Sequence, residues 1–308
     1  MAHKPYAIKL ELVRGCTARC PFCALRHMPW VDEEYRYMSI DTFTHIMLDL
    51  QNWLPKFRLE FANRGEPTLH PDLLEMTRIA RKINPKCQIL LTSNTDLMVK
   101  NGEEWYYQTI KNFYEIGGNI ALLDCYVPNR YQKVMELFNG KFSFVEQFFG
   151  ENEFNPYHYR NEKFKALCIK DAAVYEGAAK ENKILYYHNQ GGNAHLDNEA
   201  QQKIWTIEQP KEPLQKMCVR PFRELTIHYD GTVPVCCDDW SEQQIIGKTS
   251  EGSLIEIWYS NFNEQRKRLL SKDRTAMPCN KCSVGAGNRV GLEMNWFENK
   301  QEISNGIG

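Results

Sequence analysis

Several features are missing from the 308-residue chain, and each absence excludes a class. No apolar run approaches the length needed to span a bilayer. The N-terminus, Met1-Ala2-His3-Lys4-Pro5-Tyr6, leads into a short apolar run interrupted by Lys9, Glu11 and Arg14, a pattern unlike a signal peptide. Neither sign of charge is in excess: 38 basic against 39 acidic residues leave a formal charge of -1. That balance gives no overall electrostatic footprint for nucleic acid, so none is expected as a partner, nor is a membrane. Internal repeats and low-complexity tracts are absent, and the length suits one large or two modest domains. What the chain does have is eleven cysteines. Without export signals these imply a reducing, cytoplasmic setting in which they serve as metal ligands or remain free thiols.

Three of them, Cys16, Cys20 and Cys23, form a C-x-x-x-C-x-x-C loop directly after the apolar run at residues 7–13. Iron-sulfur cubanes are normally held by four Cys thiolates. Three ligands in one tight loop can hold a cubane while leaving one iron open for a reactant, as a catalytic zinc keeps one position open. The alternative is zinc, because His27 follows at a spacing that completes a Cys3His set.

The segment Cys16-Thr17-Ala18-Arg19-Cys20-Pro21-Phe22-Cys23 resembles the cluster loop of the radical S-adenosylmethionine (radical SAM) enzymes. The resemblance implies a 4Fe-4S cluster whose open iron chelates S-adenosylmethionine. The cluster delivers one electron and generates a 5'-deoxyadenosyl radical that abstracts hydrogen from a substrate. It also implies a flavodoxin or ferredoxin-type electron donor, and places Phe22 beside the adenine.

Along the first two thirds, short β-rich runs alternate with helix-period segments, the pattern of a parallel α/β fold. Strands are expected at 7–13, 58–62, 87–92, 119–125 and 183–188. Ser39 is a plausible N-cap for a helix through about Leu54, with Phe43, Ile46, Met47 and Leu50 on one face. A second helix opens at His70 or Pro71 and carries Leu73, Leu74, Met76, Ile79 and Ile83. Residues 138–173, rich in aromatics and charges, resist division. Six or so such units make a partial (β/α)6 TIM-type barrel, the fold of the family it resembles, with chemistry at the C-terminal strand ends. A polar stretch containing Pro210 and Pro213 suits a linker, so the barrel is assigned to residues 1–205 and a small α+β domain to 206–308.

After the second strand, Asn63-Arg64-Gly65-Glu66-Pro67 resembles the family's Gly-Gly-Glu-Pro motif for the methionyl ammonium of S-adenosylmethionine. Gly65 would let backbone approach closely and the Glu66 carboxylate would accept from the ammonium. Arg64 replaces the first Gly and could place a cation near the substrate. Read without the resemblance, Gly65-Glu66-Pro67 is a turn before a helix. The resemblance also implies cofactor contacts from Ser93, Asn94 and Asp124 at strand ends and from Asn193. Tyr126, Tyr187, His188 and Asn189 are substrate candidates, although a lone His or Tyr at such a position is more often structural.

In the C-terminal third, Cys218, Gly231 and Cys236 stand in a C-x12-G-x4-C arrangement, followed by Cys279-Asn280-Lys281-Cys282. Four thiolates suffice for a complete second 4Fe-4S cluster. A zinc ribbon would show paired CxxC motifs, and here only one pair exists. The spacing resembles the Twitch domain, the one-cluster form of the SPASM extension of radical SAM enzymes. Asp230-Gly231 reads as a hairpin turn joining 225–229 to 232–235. Cys237 is a substitute ligand, while Cys87, Cys125 and Cys168 read as core.

The overall layout most resembles the 2-deoxy-scyllo-inosamine dehydrogenase family. It implies a small polar substrate, such as a sugar, cyclitol or nucleotide, that is oxidised or epimerised. A peptide-modifying SPASM-type maturase and a non-catalytic zinc-binding module are the alternatives.

Overall fold

Alternation along Ala7–Leu10 (β1) sends Ile8 and Leu10 into the main core, both fully buried, and Lys9 to the other face. Arg58–Phe61 (β2) repeats the pattern: Leu59 and Phe61 join the core while Arg58 and Glu60 look the other way. The computed structural model describes residues 4–61, 63–127, 129–149, 162–171 and 185–284. Within these, β1 and β2 belong to a seven-stranded, wholly parallel sheet. It also contains Gln88–Ser93 (β3), Ile120–Cys125 (β4), Glu146–Phe149 (β5), Ala166–Asp171 (β6) and Glu224–Ile227 (β7). The spatial order is β7-β1-β2-β3-β4-β6-β5.

Both faces of the sheet are covered, as a parallel sheet requires. Against the outer face lie Ile40–Trp53 (α1), Leu73–Ile83 (α2), Asp96–Asn101 (α3), Glu103–Glu115 (α4) and Arg130–Phe138 (α5). Ser39 caps α1 by accepting from Thr42 N at 3.0 Å. Phe43, Ile46, Met47 and Leu50 of that helix are buried together, as their spacing requires. The inner face is polar at the β1 side, where Lys9 lies 3.1 Å from Glu224 and 3.8 Å from Glu60. Farther along it holds a small apolar cluster of Leu90, Ile120, Leu122, Ala166 and Cys168. Cys87 and Cys125 are buried in the main core, so all three extra thiols are core residues.

Two expectations are corrected. The strand foreseen at 183–188 does not enter the barrel. Its described part, Leu185–Tyr187, pairs instead with Trp205–Ile207 in a separate two-stranded parallel sheet, and residues 183 and 184 lie outside the described residues. The barrel positions are filled from the segment that resisted division. There β6, chain-distant from β4, inserts between β4 and β5, and aromatics at 142, 144, 148 and 149 blur the two-residue period.

The Asp230-Gly231 turn does form, with Gly231 at φ +84° and its N–H donating to His228 O at 3.0 Å. The hairpin closes by one rung, His228 N donating to Thr232 O at 2.8 Å, without extending into a ladder. β7 gives its ladder to β1 in register Ile8 to Leu225, while Thr232–Pro234 pairs with Ile245–Lys248. Left bare, β1 would present an unpaired edge, and β7 covers it while burying Leu225 and Ile227 completely. The main sheet therefore takes a strand from beyond residue 205. No helix among the described residues is long and apolar enough to cross a membrane.

Candidate active site and metal centres

The cysteine loop leaves the sheet through Val13–Arg14, which is pinned by antiparallel pairing with Arg36–Tyr37. It turns at Gly15 (φ +142°), closes with Cys23 N donating to Cys20 O at 3.0 Å, and ends in a one-turn 3-10 helix, Ala24–His27. All three thiols are pushed up in pKa. Burial, with Glu66 next, pushes Cys16 to about 12. Cys20 rises well above its ordinary value through burial and then repulsion from Cys23 and Cys16. Cys23 rises through burial. Three half-buried thiols, with carboxylates near Cys16 and Cys20 and Arg26 offsetting charge at Cys23 alone, are costly as thiolates. A polycationic iron core is what would reverse that balance, and the donor set therefore fits a cubane.

Gly65 brings the next strand end against this loop. Its φ is +76°, and a Cβ there would collide with the carbonyl oxygens of Val13 and Gly15. Glu66 N then donates to Gly15 O at 3.0 Å. Gly65 thus serves close approach of one backbone to another. Gly65→Ala should cost about 1–3 kcal/mol through a strained left-handed residue and displace the loop bearing Cys16. Melting temperature and iron per chain check this together, and unchanged iron loading in the variant would show that the loop tolerates the shift.

Glu66 is buried, and burial raises its pKa. It is also the N-cap of the 3-10 turn Pro67–Leu69, as the structural-turn reading of Gly65-Glu66-Pro67 expects. Its Oε1 accepts from Thr68 N at 3.0 Å and Thr68 Oγ1 at 2.5 Å, and Oε2 accepts from Asn94 N at 2.7 Å. Asn94 in turn donates through Nδ2 to Cys16 Sγ at 3.2 Å and to Thr17 Oγ1 at 3.3 Å. Ser93 accepts from Tyr106 OH at 2.9 Å and from Thr95 N at 3.2 Å. Asp124, its pKa raised by burial, accepts from Tyr126 OH at 3.2 Å, and its charge is felt at Cys20. Glu66, Asn94 and Asp124 thus stand around the cysteine loop at the C-terminal ends of the sheet strands or just beyond them, as the barrel geometry requires.

Phe22 stacks on Tyr187 at 4.2 Å and 14°, with Tyr126 at 5.7 Å and Trp205 at 6.2 Å. Two of the sequence candidates, Tyr126 and Tyr187, are therefore brought to the same aromatic residue. Trp205 was not foreseen.

The second cysteine set lines one cavity. Cys218, Cys236, Cys279 and Cys282 all contribute to its wall, beside Arg220 and Arg274. Burial pushes Cys279 to about 12 and Cys282 to about 11. Nitrogen donors point at three of the sulfurs: Asp238 N at Cys236 (3.2 Å), Gln265 Nε2 at Cys279 (3.2 Å) and Val284 N at Cys282 (3.4 Å). Four thiols around one cavity, supplied with N–H donors and flanked by two guanidinium groups, fit a fully protein-ligated cubane. Cys237 is not in the cavity wall. Its sulfur accepts from Arg220 Nη1 at 3.2 Å and lies 3.9 Å from Lys9 Nζ, which places it on the sheet side.

Other candidates are placed differently from expectation. Arg64 is only 3% exposed, and its guanidinium is taken up by protein partners. Its Nη2 donates to Glu11 and Glu242, both at 2.9 Å, and its Nη1 to Trp240 O at 3.0 Å, while Trp30 and Trp240 flank the guanidinium. Glu11 is fully buried, so a cation is needed there, and Arg64 ties the strand end to the C-terminal region. Glu242 is held at about 2 by His228 and Arg64.

Asn189 is also structural: its side chain donates to Lys281 O at 2.6 Å and Gln209 Oε1 at 3.1 Å, and accepts from Ser283 N at 2.8 Å. Asn193 donates to Gln190 O at 3.0 Å and accepts from Ser241 Oγ, closing the turn at residues 189–193. His188 accepts from Gln190 N at 3.2 Å and has Asp238 at 4.0 Å. His27 does not complete a Cys3His set, because Nε2 engages His195 O at 3.0 Å and Nδ1 faces Asp197 at 4.0 Å.

Sequence reading missed Gln190, whose Oε1 accepts from Ala24 N at 2.5 Å just past Cys23. Gly191 follows in the wall of the four-cysteine cavity. The Gln190-Gly191-Gly192 run, all at positive φ, was the available signal for a loop pressed between two sites.

Residues 218–283 match the iron-sulfur cluster-binding domain SPASM. A 73-residue stretch is 36% identical to the tungsten-containing aldehyde ferredoxin oxidoreductase cofactor-modifying protein of Pyrococcus furiosus, covering 24% of this chain and 20% of that protein. Among solved structures, BtrN in complex with AdoMet and 2-DOIA superposes with a TM-score of 0.65 at 18% identity, over 92% of this chain and 95% of that one. The open conformation of BtrN gives 0.57 at 15% identity, over 92% and 94%. The chain thus carries an iron-sulfur cluster-binding SPASM segment at 218–283 behind a C-x-x-x-C-x-x-C loop at the mouth of a parallel barrel. The particular fold it shares is that of BtrN.

Proposed function

We propose that the enzyme oxidises or epimerises a small polar substrate, a sugar, cyclitol or nucleotide, at a carbon bearing a hydroxyl or amine. The observation behind this reading is the cavity walled by Cys218, Cys236, Cys279 and Cys282, which supplies a protein ligand for every iron of a cubane and leaves none to chelate substrate. The shared fold with BtrN is in keeping with it. Cys16, Cys20 and Cys23 would hold one cubane, which with S-adenosylmethionine and a flavodoxin or ferredoxin-type donor would supply hydrogen-abstracting radical chemistry, and Cys218, Cys236, Cys279 and Cys282 would hold a second that would serve as electron acceptor.

The chain's own residues bind and orient. Glu66, already held by Thr68 and Asn94 N, has a buried carboxylate whose raised pKa an arriving ammonium would relieve. Asn94 fixes Cys16 to the same strand end. Asp124 and Tyr126 offer a hydrogen-bonding pair to a ribose or to the substrate, and Phe22 with Tyr187 forms an apolar wall for the nucleoside. Functionally the chain divides near residue 205, between a radical-generating barrel and a cluster-bearing extension.

The test is a product screen by mass spectrometry with candidate substrates deuterated at the reacting carbon. Oxidation is expected to appear as loss of two hydrogens from the substrate, with deuterium recovered in 5'-deoxyadenosine. Inertness toward every sugar, cyclitol and nucleotide, with a mass change on a peptide instead, would move the assignment to peptide modification.

A further inference from the structure

His27, His195 and Asp197 converge beside the cysteine loop in a way the radical chemistry does not use. Their ligand atoms all lie within 4.8 Å of one another. His27 Nδ1 and His195 Nε2 are 4.0 and 3.9 Å from the same oxygen, Asp197 Oδ1. The two imidazoles stack with centroids 3.5 Å apart.

The surroundings are those of a ligating set. A metal-bound histidine almost always gives its other ring nitrogen to a carbonyl or carboxylate, and His27 Nε2 is engaged by the backbone carbonyl of His195 at 3.0 Å. This bond leaves Nδ1 as the lone-pair nitrogen, aimed at Asp197. Burial lowers the His27 pKa, which favours the neutral ring a metal needs. Asp197 is oriented from behind, since Arg26 takes its other oxygen, Oδ2.

We propose that His27, His195 and Asp197 form a divalent transition-metal site of the zinc type, clipping the segment after the 189–193 turn to the helical turn that follows Cys23. Zinc bonds of about 2.0–2.1 Å place tetrahedral ligands about 3.3 Å apart, so the three atoms must close and the His195 ring must turn out of its stack on His27 before both lone pairs point at one ion. His195 and Asp197 are exposed and free to make that movement. Two imidazoles and one carboxylate select zinc, nickel or copper over magnesium or calcium, and the fourth position is left to water. Arg26 neutralises part of the carboxylate charge, which lowers the affinity below that of an all-thiolate site.

The probe is Zn2+ alone, added to anaerobically reconstituted enzyme with both clusters in place. Equilibrium dialysis with metal analysis should find one zinc per chain, with iron unchanged. X-ray absorption should show nitrogen and oxygen neighbours and no sulfur. His195→Ala and Asp197→Asn should each weaken zinc binding at least about tenfold while keeping full iron content. Zinc binding that is equal in both variants, a sulfur shell around the metal, or no zinc taken up at 100-fold excess would each overturn the site.

Discussion

Replacing Cys16, Cys20 and Cys23 together by Ala should remove about half of the iron and sulfide from the reconstituted enzyme, leaving about four of each per chain, and abolish cleavage of S-adenosylmethionine. The protein should nevertheless fold. In the metal-free chain the three thiols are held protonated by burial and by one another, with Glu66 adding to the pressure on Cys16. Small apolar replacements remove that repulsion and leave Asn94 able to keep its bond to Thr17. The sign of the pH effect follows from the same shifts. Cluster insertion must take protons from thiols whose folded pKa is raised, so loading of this site should improve as pH rises. Iron analysis with a melting curve separates loss of the site from loss of the fold. Full iron content in the triple variant, or stoichiometric zinc with negligible iron in the parent, would defeat the assignment of these residues.

The repeating part of the fold was legible in the sequence because β1 to β4 each bury one apolar face and are separated by helices with a clear 3.6-residue period. The strands at 58–61, 88–93 and 120–125 fall within a residue of expectation, and Ser39 caps where its side chain predicts. Legibility failed where pairing is decided at long range. Nothing local in Glu224–Ile227 says that its ladder will run along β1 and not along Thr232–Pro234, and only the open edge of β1 decides it. The cysteine sets were readable because thiol spacing is chemistry written in sequence. Polar residues at strand ends were not readable in the same way. Asn94 and Asn189 look alike as letters, yet one donates to Cys16 and the other staples the 189–193 turn to Ser283 and Lys281. Arg64 shows the same limit, since its role follows from Glu11 and Glu242, residues 53 and 178 positions away.

Replacing Cys218, Cys236, Cys279 and Cys282 by Ala should leave S-adenosylmethionine cleavage running while product formation collapses, with the ratio of product to 5'-deoxyadenosine falling roughly tenfold or more. The reasoning starts from the separation of the two thiol sets. The loop set hangs from β1 and β2 through Gly65 and Glu66, and its link toward the C-terminal cavity runs through Gln190 on Ala24 N, which does not depend on the four cysteines. The C-terminal set is held by contacts of its own, including Gln265 on Cys279 and the Asn189 staple. A substrate radical next to a deprotonated hydroxyl is a strong reductant, and without an acceptor its electron has no productive exit. Hydrogen abstraction then ends in return or quenching. Should the quadruple variant fold poorly, Cys282→Ser alone, which removes one ligand from a cavity wall of four, gives the same comparison with less disturbance. Full turnover in both variants would dismiss the acceptor role. Electron-nuclear spectroscopy showing substrate nitrogen or oxygen on the second cluster would instead mean that one of the four thiols is not a ligand. The cavity would then be a substrate-chelating site, as in enzymes whose auxiliary cluster has three cysteines.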